Sequence, residues 1–234
     1  MYNKVLTGIL VVLIIAILGT LGYLGYGYYK KYTLNSDAES YLEEFDKEVE
    51  KINEEAEQTQ EEPVEETPPG EEENTPTENN QQRGNYSGTS SNRTISGNSA
   101  TYKGFTVVGK LEMPTINIRY PILDVITHAN AIEVSIGILY GPGVNKAGNT
   151  AIIGHNYNNG LFFGKNKNLK IGDKIYITDM EGNKMEYTIY NKYYTPESDT
   201  SWITRQTDGK IEVTLATCDA TGANRLIVCA RVEE

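Results

Sequence analysis

Cys218 closes the run VTLATC, and Arg225 follows seven positions later at the head of RLIVCARV. A thiol at the end of a β-branched, apolar run is held by a strand rather than by a mobile loop, which suits a nucleophile. A second run, TAIIGHNY, brings His155 to the end of another strand-like segment. The thiolate is the reactive form of cysteine, and an imidazole or a fixed cation beside it favours that form near neutral pH. A guanidinium adds a fork of donors that can hold a carbonyl and the oxyanion formed on attack. Cys, His and Arg on strand ends together point to acyl transfer through a thioester.

The competing residues are few. The chain has 2 His and 2 Cys. His128, in DVITHANAI, stands at the start of a short helical segment and reads as a surface or capping residue. Cys229 lies four residues beyond Arg225 on the same run, about 13 Å away at ~3.3 Å per residue. A disulfide needs Cα atoms within about 7 Å, so Cys229 reads as core packing, on the same face of its strand as Arg225. Thr217 and Asp219 flank Cys218 where the apolar run gives way to DATGAN, a place where a side chain can reach solvent.

The elements that must position these residues are short and β-like. FTVVGKLEM, NIRYPIL, TAIIGHN, DKIYITDM, KMEYTIYNKYY, IEVTLATC and RLIVCARV are apolar or alternating runs separated by turn residues, and MEGNK between two of them reads as a hairpin. Only Ala129 to Ile136 reads as a helix. The pattern predicts an all-β domain over residues 102–234, a closed barrel with one or two short helices.

These motifs resemble the sortases, the membrane-bound cysteine transpeptidases of Gram-positive bacteria, over roughly residues 104–232. GKLEMPTINIRYPI resembles that family's opening strands, AIIGHNYNNG its histidine segment, and VTLATC with the later arginine its TLxTC and arginine elements. The resemblance implies an eight-stranded barrel with His155, Cys218 and Arg225 as catalytic residues and no cofactor. It implies substrate contacts at Ala216, Thr217 and the loop from Tyr193 to Lys210, which carries the single tryptophan, Trp202. The expected substrates are surface proteins bearing an LPXTG-like sorting signal, and the expected acceptor is an amine of a peptidoglycan precursor. No Asp-Pro lid pair occurs and no second hydrophobic segment follows the last strand, which favours an anchoring enzyme over a pilin polymerase. The subclass stays open between A- or D-like and the type that prefers NPQTN-like signals. Some members bind calcium through loop carboxylates; Glu133, Glu197 and Asp199 could serve, but no D-x-D-x-D-G pattern is present and no metal is expected.

Residues 5–26, VLTGILVVLIIAILGTLGYLGY, carry no charge and are long enough to cross a bilayer as a helix. Tyr23, Tyr26, Tyr28 and Tyr29 fall where an aromatic belt would lie, and no A-x-A-like cleavage site follows. An uncleaved anchor over residues 1–32 is expected, with the catalytic domain outside the plasma membrane. Charge alone does not orient it, since Lys4 lies on one side and Lys30 and Lys31 on the other. Residues 33–101 form an acidic stalk: positions 37–82 hold 18 Asp and Glu against 2 Lys, a net −16 that exceeds the whole chain's −11. Ala38, Leu42, Phe45, Val49, Ile52 and Ala56 make a heptad-like stripe, with Ser36 and Glu39 as a capping box; the alternatives are a short coiled coil and a lone helix. From Gln58 to Asn98 the composition has almost no large apolar side chains, which predicts a disordered tether spanning about 35 Å.

The barrel region carries 14 acidic and 14 basic residues, so nothing in the chain offers the concentrated basic face that nucleic acid requires. Two rival readings remain at this point. One is a cell-wall cysteine peptidase or L,D-transpeptidase, although the first places Cys before His and the second uses a Ser-His-Gly-Cys run. The other is a tethered, non-catalytic β-domain that binds wall polymer.

Overall fold

A computed structural model of the chain describes residues 2–60 and 100–233. One long helix, α1 (Tyr2–Gln60), precedes nine strands: β1 (Thr101–Tyr102), β2 (Phe105–Met113), β3 (Ile118–Asp124), β4 (Ile136–Tyr140), β5 (Gly148–Ile153), β6 (Lys174–Asp179), β7 (Lys184–Pro196), β8 (Ile211–Cys218) and β9 (Asn224–Arg231). The strand order is β1-β2-β3-β4-β5-β8-β9-β7-β6, and a β2–β6 pairing closes the sheet. Strands β2 to β9 thus form the expected eight-stranded barrel, with two-residue β1 as a flap on β2. The predicted hairpin forms between β6 and β7, where Gly182 takes φ +82°. The expected helix at 129–136 is shorter: a 3₁₀ turn spans Ala129–Glu133, and Ile136 opens β4 opposite Ile122.

Alternation fills the barrel. Val213 and Leu215 of β8, Leu226, Val228 and Ala230 of β9, and Ile175 and Ile177 of β6 point inward with Ile122 and Ile152. Strand β8 is buried on its other face as well, because Trp202 from the β7–β8 loop lies over Ala216, Ala151, Ile227 and Cys229. Asn149 secures that roof by donating Nδ2 to the carbonyls of Trp202 (3.0 Å) and Ile203 (2.9 Å). Arg205 adds an ion pair to Glu212 at 2.7 Å.

Helix α1 differs from the expected segments in two ways. It runs unbroken through Ser36, so no capping box forms there, and much of its apolar stripe packs on the barrel. Leu34, Ala38, Leu42 and Phe45 are buried, and Leu34, Ala38 and Phe45 join the barrel's own core cluster. Carboxylates beside the stripe meet barrel cations. Asp46 pairs with Lys110 and, at 2.8 Å, with Arg119; Glu39 also holds Arg119, and Asp37 holds Lys103 at 2.5 Å. Glu112 sits beneath them: burial pushes its carboxyl up, but the hydrogen bond from Lys184 and the charges of Lys110, Lys184 and Arg119 outweigh burial and hold it below the usual range. The earlier part of α1 has exposed apolar side chains and is long and apolar enough to cross a membrane. The segment read as a disordered tether lies largely outside the described residues.

Phe45 is 0 % exposed with the Lys110 ammonium 6.0 Å from its ring centre. Truncating a core Phe costs about 3–5 kcal/mol, but here α1 can detach while the barrel stays closed. Phe45→Ala is therefore expected to strip hydrogen-exchange protection from residues 34–52 and leave β5 and β8 protected.

Candidate active site

Three strand ends meet at one end of the barrel. Strands β5 and β8 run parallel with Ile153 opposite Ala216, so the two residues that follow each, ending at His155 and Cys218, leave the sheet side by side. Strands β8 and β9 run antiparallel with Cys218 directly opposite Arg225. Directly opposed residues project from the same face. Parity puts Cys218 with Ala216, and Arg225 with Ile227 and Cys229, on the outer face that Trp202 roofs.

Short bonds stitch the histidine segment to the nucleophile's strand. The Thr217 hydroxyl donates to the Gly154 carbonyl at 2.7 Å, Gly154 N–H donates to the Ala216 carbonyl at 3.3 Å, and Asn156 Nδ2 donates to the Cys218 carbonyl at 2.8 Å. Gly154 is needed for that closeness: a Cβ there would meet Ile136 Cγ2 at 2.8 Å and the Phe163 ring at 2.9 Å. Beyond Cys218, Asp219 ties the turn to β9. Hydrogen bonds from Asn224 and Thr221 push its carboxyl down to about 2, so the turn keeps its anion throughout the neutral range.

The thiol of Cys218 is half-buried beside a cavity of about 130 Å³ whose lining includes Asn156, Tyr157, Tyr194, Asp219 and Leu226. Among the described residues no hydrogen bond joins it to His155 or Arg225. Each of those holds a carboxylate instead: His155 Nε2 lies 3.0 Å from Glu133 Oε1, and Arg225 Nη2 lies 2.6 Å from Glu197 Oε1. Cys229 is free and buried, and burial pushes its thiol up, away from thiolate chemistry.

The sequence-derived candidates fall into two groups. His155, Cys218 and Arg225 come together at the barrel's end, while Ala216, Thr217 and Trp202 are buried behind them, the indole donating to the Asp199 carbonyl at 3.0 Å. His128 lies apart, its ring edge-on to Phe105 at 6.1 Å, and makes no side-chain cap bond to the turn it precedes. Among the described residues no group of three or more His, Cys, Asp or Glu could hold a metal. Glu133 and Glu197, weighed in the sequence as loop carboxylates, are the partners of the imidazole and the guanidinium. Nothing local signals this, since each lies more than 20 positions from its partner. Asn156 and Asp219, adjacent to His155 and Cys218, were within reach of a reading that asks what fixes each strand end.

The sortase domain family model matches residues 111–233, more than half of the chain. The chain belongs to the sortase family. It is 33% identical over 114 residues to sortase A of Bacillus anthracis, covering 48% of this chain and 52% of that protein. It is 31% identical over 121 residues to sortase A of Listeria monocytogenes, covering 51% and 53%. The chain thus spans about half the length of these relatives. Among solved structures, a Clostridium perfringens sortase D5 transpeptidase superimposes with TM-score 0.50 at 25% identity, over 55% of this chain and 80% of that one.

Gly154→Ala overfills the contact between Ile136 and Phe163. It is expected to cost about 1–3 kcal/mol in denaturant unfolding and to loosen the segment carrying His155.

Proposed function

We propose that the chain is a membrane-anchored cysteine transpeptidase that cuts a C-terminal, LPXTG-like sorting signal and passes the surface protein to a cell-wall amine. The observation that carries this reading is the register that brings His155, Cys218 and Arg225 to one rim. The thiolate of Cys218 attacks the carbonyl carbon preceding the scissile bond, and the C=O electron pair moves onto oxygen. Arg225 donates to that oxyanion. As the intermediate collapses, the C–N bond breaks and protonated His155 gives its proton to the departing amine, leaving a thioester on Cys218. The acceptor amine attacks in turn, His155 takes its proton, and the thiolate is released.

Ala216 and Thr217 form the floor beside the nucleophile, and Trp202 seats the Tyr193–Lys210 loop as the wall of the peptide groove. Residues 5–26 anchor the chain in the plasma membrane with the barrel outside, within reach of an amine on a peptidoglycan precursor. The anchoring rather than the pilin-polymerising role fits the sequence, with the subclass open.

The full chain in nanodiscs, given a fluorogenic LPXTG peptide and hydroxylamine, is expected to form the hydroxamate. Hydrolysis without transfer supports a peptidase, and silence from folded protein supports a binding module. Cys218→Ala and His155→Ala should abolish turnover while His128→Ala keeps it. Arg225→Lys should lose about 10²–10³ in kcat, the cost of removing an oxyanion donor. Retained activity in His155→Ala would refute the acid–base assignment.

A further inference from the structure

We propose that the docked helix positions His155, through a clamp that Asn35 and Tyr120 place on Phe162; this rests on the reading of His155 as the acid–base. Phe162 is 0 % exposed and has φ +51°, the left-handed region that bulky residues avoid. Such a conformation persists only where its surroundings over-determine it, and an observed outlier of this kind is a pointer to function.

Tyr120 supplies the constraint. Its ring meets the Phe162 ring edge-on at 5.2 Å. The Tyr120 hydroxyl donates to Asn35 Oδ1 of α1 at 2.8 Å. A hydroxyl has one proton and rotates to suit its partners. With that proton directed at Asn35, the Tyr120 ring is held in place against Phe162.

From Phe162 the constraint reaches His155 by two routes. Along the backbone, Phe162 bridges Asn156, and Phe163 N–H donates to the His155 carbonyl at 3.1 Å. Through the rings, Tyr157 lies 5.7 Å from Phe162 and 5.2 Å from the imidazole. Glu133 closes the far side, holding His155 Nε2 with one oxygen at 3.0 Å and approaching the Tyr157 hydroxyl with the other at 3.4 Å. Asn35 itself stands nine residues beyond Tyr26, about 13 Å along the same helix. The element that enters the membrane and the one that aims the imidazole are therefore a single rod. Activity on this view depends on the helix being seated.

The full chain in nanodiscs provides the test, with Asn35→Ala, Tyr120→Phe and the rescue variant Asn35→Asp, which keeps the acceptor oxygen. Lys103→Ala serves as the control, because it breaks the ion pair to Asp37 on the same docked helix without touching the clamp. Asn35→Ala and Tyr120→Phe should each lower kcat about tenfold to a hundredfold, the scale of a small misplacement of a catalytic group. KM should stay within about twofold. The double variant should be no worse than the worse single, and Asn35→Asp and Lys103→Ala should match the parent. With only two histidines, the imidazole cross-peaks report directly: the His155 peak should move in both clamp variants and the His128 peak should stay. Unmoved peaks with unchanged kcat, or an equal loss in Lys103→Ala, overturn the proposal. A moved His155 peak in a chain that transfers nothing even as wild type would uphold the coupling and sink the transpeptidase reading instead.

Discussion

The pairing of β5 with β8 in parallel is the constraint on which the site depends. Parallel neighbours finish at the same edge, so whatever follows Ile153 emerges beside whatever follows Ala216. Antiparallel β9 then starts where β8 ends, and a third residue arrives at that edge without any loop having to reach for it. The chain between Ile153 and Ile211 supplies the crossover that a parallel pair requires and uses it to build β6 and β7, which close the barrel. A slip of one residue in β8 would turn Cys218 into the interior and Thr217 out. The bond from Thr217 to the β5 exit, and the one from Asn156 of that exit back to the Cys218 carbonyl, oppose that slip where it would matter most.

Much of this was legible in the chain because strands and turns leave local signatures. Alternation in IEVTLATC and RLIVCARV gives two strands with defined faces, and the strand-ending positions of His155, Cys218 and Arg225 follow from where those runs stop. Facts that depend on partners distant in sequence were not legible. A stripe at Ala38, Leu42 and Phe45 has the same spacing whether it meets another helix or a sheet, and the sequence cannot name the partner. Capping residues at Ser36 looked like a helix start because a local reading cannot see that the preceding apolar helix continues through them. Trp202 could be placed on the loop, but not seated over Ala216, since that seat is made by Asn149 from another strand. The left-handed turn at Phe162 leaves no mark at all, because a bulky aromatic residue does not suggest positive φ.

The acidic character of the stalk also divides once the fold is known. Asp37, Glu39 and Asp46 are matched to Lys103, Lys110 and Arg119, so part of what reads as like-charge repulsion is a complementary docking face. Lys110 is only 5 % exposed, and a buried ammonium is tolerated only with carboxylates around it. Asp46 and Glu112 both serve it, at either side of the contact between helix and barrel. Burial of that charge therefore favours the docked arrangement over a helix standing free.

The same logic bears on the carboxylates held by the imidazole and the guanidinium at the rim. On the proposed mechanism an anion develops beside Cys218, and an imidazole or guanidinium already paired might be thought spent. The donor counts say otherwise. Guanidinium carries five N–H donors, of which Arg225 uses Nη2 on Glu197 and Nη1 on the Gly222 carbonyl, so the group is fixed in orientation with donors still free for an oxyanion. For His155, Glu133 occupies Nε2 and leaves Nδ1, the nitrogen whose role is then set by the bond the other one makes. Each carboxylate thus fixes the direction in which its partner presents its remaining donors.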